Sequence, residues 1–168
     1  MVHGLTSANL GSPDYHLALC QHADYVIALK SCGLDVIELP PDDNFPDSTF
    51  VEDTALLTAE CAIIMRPGAK SRRGETASIE QVVATYFQTV GRVASPGTAD
   101  AGDIMMVGSH FFIGLSSRTN PEGAKQIIDI LAAHGMTGST IPLRHMLHLK
   151  SGVAYLENNC LLTAGEFK

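Results

Sequence analysis

Three carboxylates, Asp47, Glu52 and Asp53, fall within the segment Phe45-Pro-Asp-Ser-Thr-Phe-Val-Glu-Asp-Thr54 and lead directly into the apolar run Ala55-Leu-Leu57. A carboxylate at the mouth of a buried strand must be offset by a metal, by hydrogen bonds or by a cationic ligand, because desolvation disfavours its charged form. The segment is therefore either one wall of a site or an acidic turn capping a hairpin, since Asp and Ser also favour turns for purely local reasons.

The same residue types recur further along. Fifty residues after Asp53, Asp100-Ala-Gly-Asp103 again leads into an apolar strand, and His148 in Leu147-His-Leu-Lys150 holds the third such point. Arginines follow the second strand in the first two cases, as Arg72 or Arg73 and then Arg118. Equivalent points in a closed repeat array converge on one axis, so these groups are expected to face a common cavity. A cavity with both signs suits a zwitterion: arginine grips a carboxylate with a bidentate fork, and carboxylates grip an ammonium or guanidinium group. The competing reading is structural salt bridging between repeats, which perturbs the same residue types. A histidine flanked by leucines is commonly a satisfied core group, yet its register beside the acids suits general acid/base work near neutral pH. The other six histidines are read as lying on helix surfaces or in turns and are assigned no role.

The four cysteines, Cys20, Cys32, Cys61 and Cys160, show no CxxC pairing and lie in apolar helix or strand patterns. They are expected to be reduced core thiols. None adjoins a basic group that would favour a thiolate, and no paired Cys/His spacing suggests a zinc site.

Elements must position these groups. A helix is expected to start at Ser12-Pro-Asp14, with the proline at its first position, to turn Tyr15, Leu19, Val26 and Leu29 inward and to close at Gly33. A short strand is expected over Asp35-Val-Ile-Glu-Leu39. Two further strands, 54–57 and 61–65, precede the turn Pro67-Gly68, the basic Lys70-Ser-Arg-Arg73 and a helix from about Glu75 to Phe87 with Ile79, Val82, Val83 and Tyr86 on its apolar face. The order then repeats: strands 103–107 and 111–115 around Gly108-Ser109, then a helix capped by Asn120-Pro121 and ending at Gly135. A third hairpin, 153–156 and 160–163 around Asn158-Asn159, begins fifty residues after the second. It has no helix before Lys168, and repeated ββα units need neighbours to bury their open faces. The sequence is thus expected to be a fragment of a longer protein rather than one ending in a purposeful cap.

The bulk properties bound the partners. A chain of 168 residues with 45% apolar and 17% charged residues can bury a sizeable core as one domain. A net charge of −7 with no Lys/Arg-rich run disfavours nucleic acid and anionic membrane. No apolar run approaches the roughly 18 to 20 residues that span a bilayer, and no basic-then-apolar leader opens the chain, so a soluble cytoplasmic protein is expected.

Five ordered blocks, Phe45-Pro-Asp-x-x-Phe-Val-Glu-Asp-Thr, Arg66-Pro-Gly-Ala-x-Ser-Arg-Arg, Ala101-Gly-Asp, Gly114-Leu-Ser-x-Arg-Thr-Asn and Leu147-His-Leu-Lys-Ser, resemble the dimethylarginine dimethylaminohydrolases of the guanidine-modifying (amidinotransferase) superfamily. The resemblance implies an α/β fold: a pseudo-symmetric, pentein-type α/β propeller of ββα repeats, incomplete in this chain, with residues 1–168 forming a single partial domain of about three of five repeats. It implies hydrolysis of Nω-methylated arginine to citrulline and a methylamine through a covalent cysteine thiouronium, with no metal or organic cofactor. His148 matches the histidine that protonates the departing amine and then activates water, and Asp100 matches the acidic partner of histidine and guanidinium. Family members often carry Gly-Gly-Asp after that acid where this chain has Ala-Gly-Asp. Asp47, Glu52 and Asp53 match substrate positions around the guanidinium and α-amino groups, Arg72 and Arg118 match carboxylate binders, and Leu5 matches a residue of a mobile lid. The expected partner is a small-molecule substrate, with a homodimer as the assembly to look for.

The family's nucleophilic cysteine lies near the end of a longer chain, and none of the four cysteines here matches it. The polypeptide is accordingly expected to bind ligand without turning it over. Two alternatives stand beside this reading. An arginine deiminase-like hydrolase would ordinarily carry His-x-Asp where this chain has His148-Leu-Lys150. A non-catalytic methylarginine-binding module would bind without releasing citrulline.

Overall fold

Asp14 caps the first helix, one turn's edge later than the Ser12 start that the sequence suggested: its carboxylate accepts from Leu17 N at 3.0 Å, and helix α1 runs Tyr15–Ser31. The computed structural model describes residues 3–6 and 11–167, and these divide into two units, Met1–Thr49 and Phe50–Lys168. In the first, α1 ends at a left-handed Gly33, whose φ of 81° favours glycine. Val26 is the buried residue of α1, whereas Tyr15 and Leu19, expected to point inward, are exposed. The strand expected over residues 35–39 does not form, because among the described residues no strand pairs with that backbone.

The second unit is a succession of hairpins, each introduced by a 3-10 turn. The turn Val51–Thr54 precedes strands β1 (Ala55–Leu57) and β2 (Ala62–Ile64); helix α2 (Thr76–Tyr86) then returns the chain to β3 (Val90–Arg92). The turn Ala101–Asp103 precedes β4 (Ile104–Val107) and β5 (His110–Leu115), and helix α3 (Pro121–Ala133) leads to β6 (Thr137–Pro142). The turn Leu149–Ser151 precedes the antiparallel pair β7 (Val153–Tyr155) and β8 (Leu161–Thr163). In both complete units the hairpin is antiparallel and the third strand joins parallel to its second strand. The repeat is therefore ββαβ rather than the expected ββα. β3 and β6 escaped the sequence reading because Val-Gly-Arg and Thr-Gly-Ser-Thr-Ile-Pro carry too few apolar residues to set a period of two. The three sheets remain separate and do not close on one another as a barrel.

Packing explains why 61–65 is apolar at every position. Ile63 and Met65 face the cluster that includes Phe111, Ile113 and the α3 residues Ala124, Ile127 and Leu131, while Ala62 and Ile64 face Ile79 and Val83 of α2. A strand buried on both faces loses its alternation. Full burial of side chains such as Ile127 and Leu131 is worth roughly 1.5–3 kcal/mol each. Cys61 belongs to this core, but Cys20, Cys32 and Cys160 are exposed, contrary to the expectation for four core thiols. On the third hairpin Leu156, Leu161 and Leu162 are exposed.

The start of α3 is a tight joint. Asn120 Oδ1 accepts from Gly123 N at 2.8 Å and from Thr98 N at 2.9 Å, so one side chain caps the helix and fixes the loop that leads to Asp100. A methyl on Gly123 would sit 2.1 Å from Thr98 O. Gly123→Ala is expected to cost about 3 kcal/mol through forced movement of backbone against backbone, read as a lower urea midpoint.

Candidate active site

Four carboxylates, Asp53, Glu75, Asp100 and Asp103, converge with one arginine and one histidine where the turns Val51–Thr54, Ala101–Asp103 and Leu149–Ser151 meet. Asp53 is buried in the first turn; its Oδ2 pairs with Arg72 Nη1 at 2.7 Å, and its Oδ1 accepts from Gly102 N at 3.2 Å in the second turn. Arg72 is also gripped by Glu75 through Nε and Nη2, at 3.0 and 2.9 Å to Oε2, and donates to Phe50 O at 3.2 Å. Burial opposes the arginine's charge, but Glu75 and Asp53 outweigh it, and its pKa is raised. Glu75 was not singled out by the sequence; its spacing three residues after Arg72 is the one local signal.

Asp100 is fully buried, accepts from Gly68 N at 2.9 Å through Oδ1, and among the described residues its Oδ2 has no hydrogen-bond partner. Burial pushes its pKa up, the Gly68 hydrogen bond opposes this, and the nearby Asp53 charge adds to the rise. His148 enters from the start of the third turn. Its Nε2 lies 3.6 Å from Asp53 Oδ1 and its Nδ1 3.4 Å from Asp103 Oδ1. Burial lowers its pKa, but Asp103, Asp53 and Asp100 more than compensate, so the net shift is upward. Gly102 makes this approach possible: a methyl there would lie 2.7 Å from Asp53 Oδ1 and 3.0 Å from the imidazole.

A group whose folded pKa is raised stabilises the fold fully below its unfolded value and loses that contribution as pH climbs through the folded value. The unfolding free energy is thus expected to decline above about pH 6.5, at no more than about 1.4 kcal/mol per pH unit from this group. The decline should disappear in His148→Asn, as read by urea denaturation across a pH series.

Glu52 is exposed and pairs with Lys150 Nζ at 2.7 Å, so the first and third turns are linked twice, by this pair and by Asp53 with His148. Arg118 is half-buried, and among the described residues its guanidinium has no hydrogen-bond or ion-pair partner. In the first unit the buried Asp47 accepts from Leu5 N at 2.9 Å, while the Leu5 side chain is exposed. Of the expected site residues, Asp53, Arg72, Asp100 and His148 are thus drawn into one cluster and Glu52 lies at its edge.

Asp53, Asp100 and His148 each offer an atom within 4.8 Å of the others. Two of these carboxylate oxygens already accept backbone hydrogen bonds, and Arg72 supplies a cation on Asp53. The donor set suits an organic cation that donates N–H groups to Asp100 Oδ2 better than a bare metal ion, which brings no donors.

No family model matches the chain. It is 59% identical over 168 residues to the N(G),N(G)-dimethylarginine dimethylaminohydrolase of Pseudomonas aeruginosa, covering 99% of this chain and 66% of that protein. It is 40% identical over 149 residues to the protein of the same name from Streptomyces coelicolor, covering 89% of this chain and 58% of that one. The chain therefore spans about two thirds or less of these relatives. A solved structure of the Pseudomonas enzyme, a cysteine-to-serine mutant complexed with citrulline, matches with a TM-score of 0.96 over 99% of this chain and 66% of that one. The N-terminal domain of a cyanobacterial arginine dihydrolase shares the fold at 21% identity, with a TM-score of 0.79 over 89% of this chain and 56% of that one.

Proposed function

The chain belongs to the dimethylarginine dimethylaminohydrolase family, and from that premise we propose that its turn cluster is the guanidinium-binding and proton-transfer part of a site that hydrolyses Nω-methylated arginine to citrulline and a methylamine. The observation that supports the reading is Asp100: fully buried, with one oxygen unpartnered among the described residues, beside Asp53 and His148. A buried acceptor without a donor is costly, and a guanidinium N–H supplies the donor and the charge together. Citrulline in the Pseudomonas structure is the product this chemistry would leave.

In the proposed reaction a cysteine thiolate forms a bond to the guanidinium carbon. His148, charged between its carboxylates, gives its proton to the dimethylamine nitrogen as that C–N bond breaks. The neutral imidazole then takes a proton from water, the resulting hydroxide attacks the thiouronium, and the C–S bond breaks to release citrulline. The cation bound by Asp53 and Asp100 also weakens their hold on the imidazolium proton, which favours the acid step once substrate is present.

None of the four cysteines is among the cluster residues, and the polypeptide is proposed to need a thiolate from elsewhere for turnover. Arg118 is proposed to take the substrate carboxylate. Arg72, already spread over Asp53 and Glu75, supports Asp53 in this state. Asp47 and Leu5 keep the ligand-binding and lid roles that the resemblance implies. The repeats are proposed to be blades of a pseudo-symmetric propeller. Lys150 favours this branch over a deiminase, because an aspartate there would meet Glu52 with like charge.

Calorimetry with asymmetric dimethylarginine, together with a citrulline assay, tests the proposal. Binding of the methylarginine that weakens at least tenfold in Asp100→Asn is the expected result, and no detectable heat at millimolar ligand overturns it.

A further inference from the structure

Asp103 is fastened by donors from three different residues. It is fully buried, and its Oδ2 accepts from Ser116 Oγ and from Thr119 Oγ1, both at 2.6 Å. Its Oδ1 accepts from Leu149 N at 3.1 Å, the backbone amide next to His148. Thr119 is fixed in turn, because its Oγ1 accepts from Asp100 N at 3.2 Å and its own amide donates to Ser116 Oγ at 3.2 Å. Three donors hold this carboxylate in place, whereas Asp100 accepts a single described hydrogen bond and burial pushes its pKa up.

The imidazole faces this anchored oxygen. His148 Nδ1 is buried with no formed hydrogen bond among the described residues, and Asp103 Oδ1 lies 3.4 Å away, an ion-pair distance slightly beyond a well-made bond. Catalytic hydrogen bonds are often this long before ligand arrives. On the opposite edge Nε2 looks toward Asp53 Oδ1, the oxygen already fixed by Gly102 N. The two ring nitrogens thus have different surroundings: one meets a carboxylate sealed among hydroxyls, the other meets the cation-binding acids.

Resting on the functional reading above, we infer that Asp103 is a further positioning residue of His148, acting at Nδ1 while Asp53 and Asp100 lie on the other side of the ring. Its Oδ1 holds the Nδ1 proton of the neutral ring, so that Nε2 is the atom that exchanges protons on the Asp53 and Asp100 side. Which nitrogen carries the proton is decided by the partner of the other one, and Asp103 is the carboxylate that cannot turn away. Hydrogen bonding from Leu149 N to the same oxygen ties the backbone of the third turn to it, so ring and turn move together. Asp53, Asp100 and Asp103 are the acids facing the ring, with the Arg72 cation beyond Asp53; Lys150 is paired to Glu52.

Nitrogen-15 and proton NMR of His148 in this polypeptide tests the inference without any turnover. At alkaline pH the wild-type ring is expected to carry its proton on Nδ1; a neutral ring protonated on Nε2 overturns the inference. In Asp103→Asn the imidazole titration midpoint is expected to fall by about one pH unit, as befits loss of a charge within 4 Å. Thr119→Val loosens the same hub but keeps the Oδ1 contact, and its midpoint is expected not to fall. A folded Asp103→Asn with an unchanged midpoint, or an equal fall in both variants, overturns the assignment. If Asp103→Asn does not fold, the wild-type tautomer still decides. Failure of methylarginine binding would remove the functional reading and leave the tautomer result standing.

Discussion

Arg72→Met is expected to destabilise the second unit by about 3–5 kcal/mol, the usual consequence of leaving a buried charge without its partner. The guanidinium is held by Asp53 at 2.7 Å and by Glu75 at 2.9 Å, and all three side chains are nearly inaccessible to solvent. Methionine keeps much of the volume and removes the charge, so Asp53 and Glu75 must protonate or draw in water. Protonation sets the sign of the pH response: the variant's deficit shrinks as pH falls toward the carboxylate range and is largest at neutral pH. Urea denaturation at neutral and mildly acidic pH measures both. A loss under about 1 kcal/mol would mean that the pair behaves as a surface salt bridge and does not organise the cluster.

His148→Asn should lower citrulline release about 10²–10⁴-fold in a polypeptide that carries the nucleophile, while methylarginine binding changes only a few-fold. The chemical reason is that dimethylamine leaves poorly as an anion. An acid poised between Asp53 and Asp103, whose charges push its pKa up against the effect of burial, lies beside the carboxylates proposed to seat the guanidinium. Asparagine preserves size and a donor but cannot transfer a proton. Comparing single-turnover release with equilibrium binding separates the two roles, and turnover within tenfold of wild type would transfer the acid role to another group.

Much of the cluster was legible from the chain. Asp53, Asp100 and His148 were marked by recurrence at matching points before apolar strands, and the turns at Val51–Thr54, Ala101–Asp103 and Leu149–Ser151 bring them within a few ångströms. Helices over Thr76–Tyr86 and Pro121–Ala133 followed from cap and periodicity, because those signals are local. The face of α1 was not legible: a helix with apolar residues on several sides does not say which will be covered, and Val26 is the buried one. Nor were β3 and β6, which become strands by docking parallel to β2 and β5 rather than by their own pattern.

What the sequence determined by itself is the inventory: the acids, the arginines and one histidine, repeated in register because each ββαβ unit must use the same turn before its first strand. What only the tertiary structure decided is the division of labour among them. Asp100 and Asp103 are three residues apart and equally acidic on paper, but one is left with an unpartnered oxygen while the other is fastened by Ser116, Thr119 and Leu149. Arg72 could face ligand or protein, and Glu75 with Asp53 turned it toward the protein. The reason is physical: composition fixes which groups can ionise, but burial and the donors that reach each oxygen fix which of them holds its charge, which holds a proton and which is open to a cation.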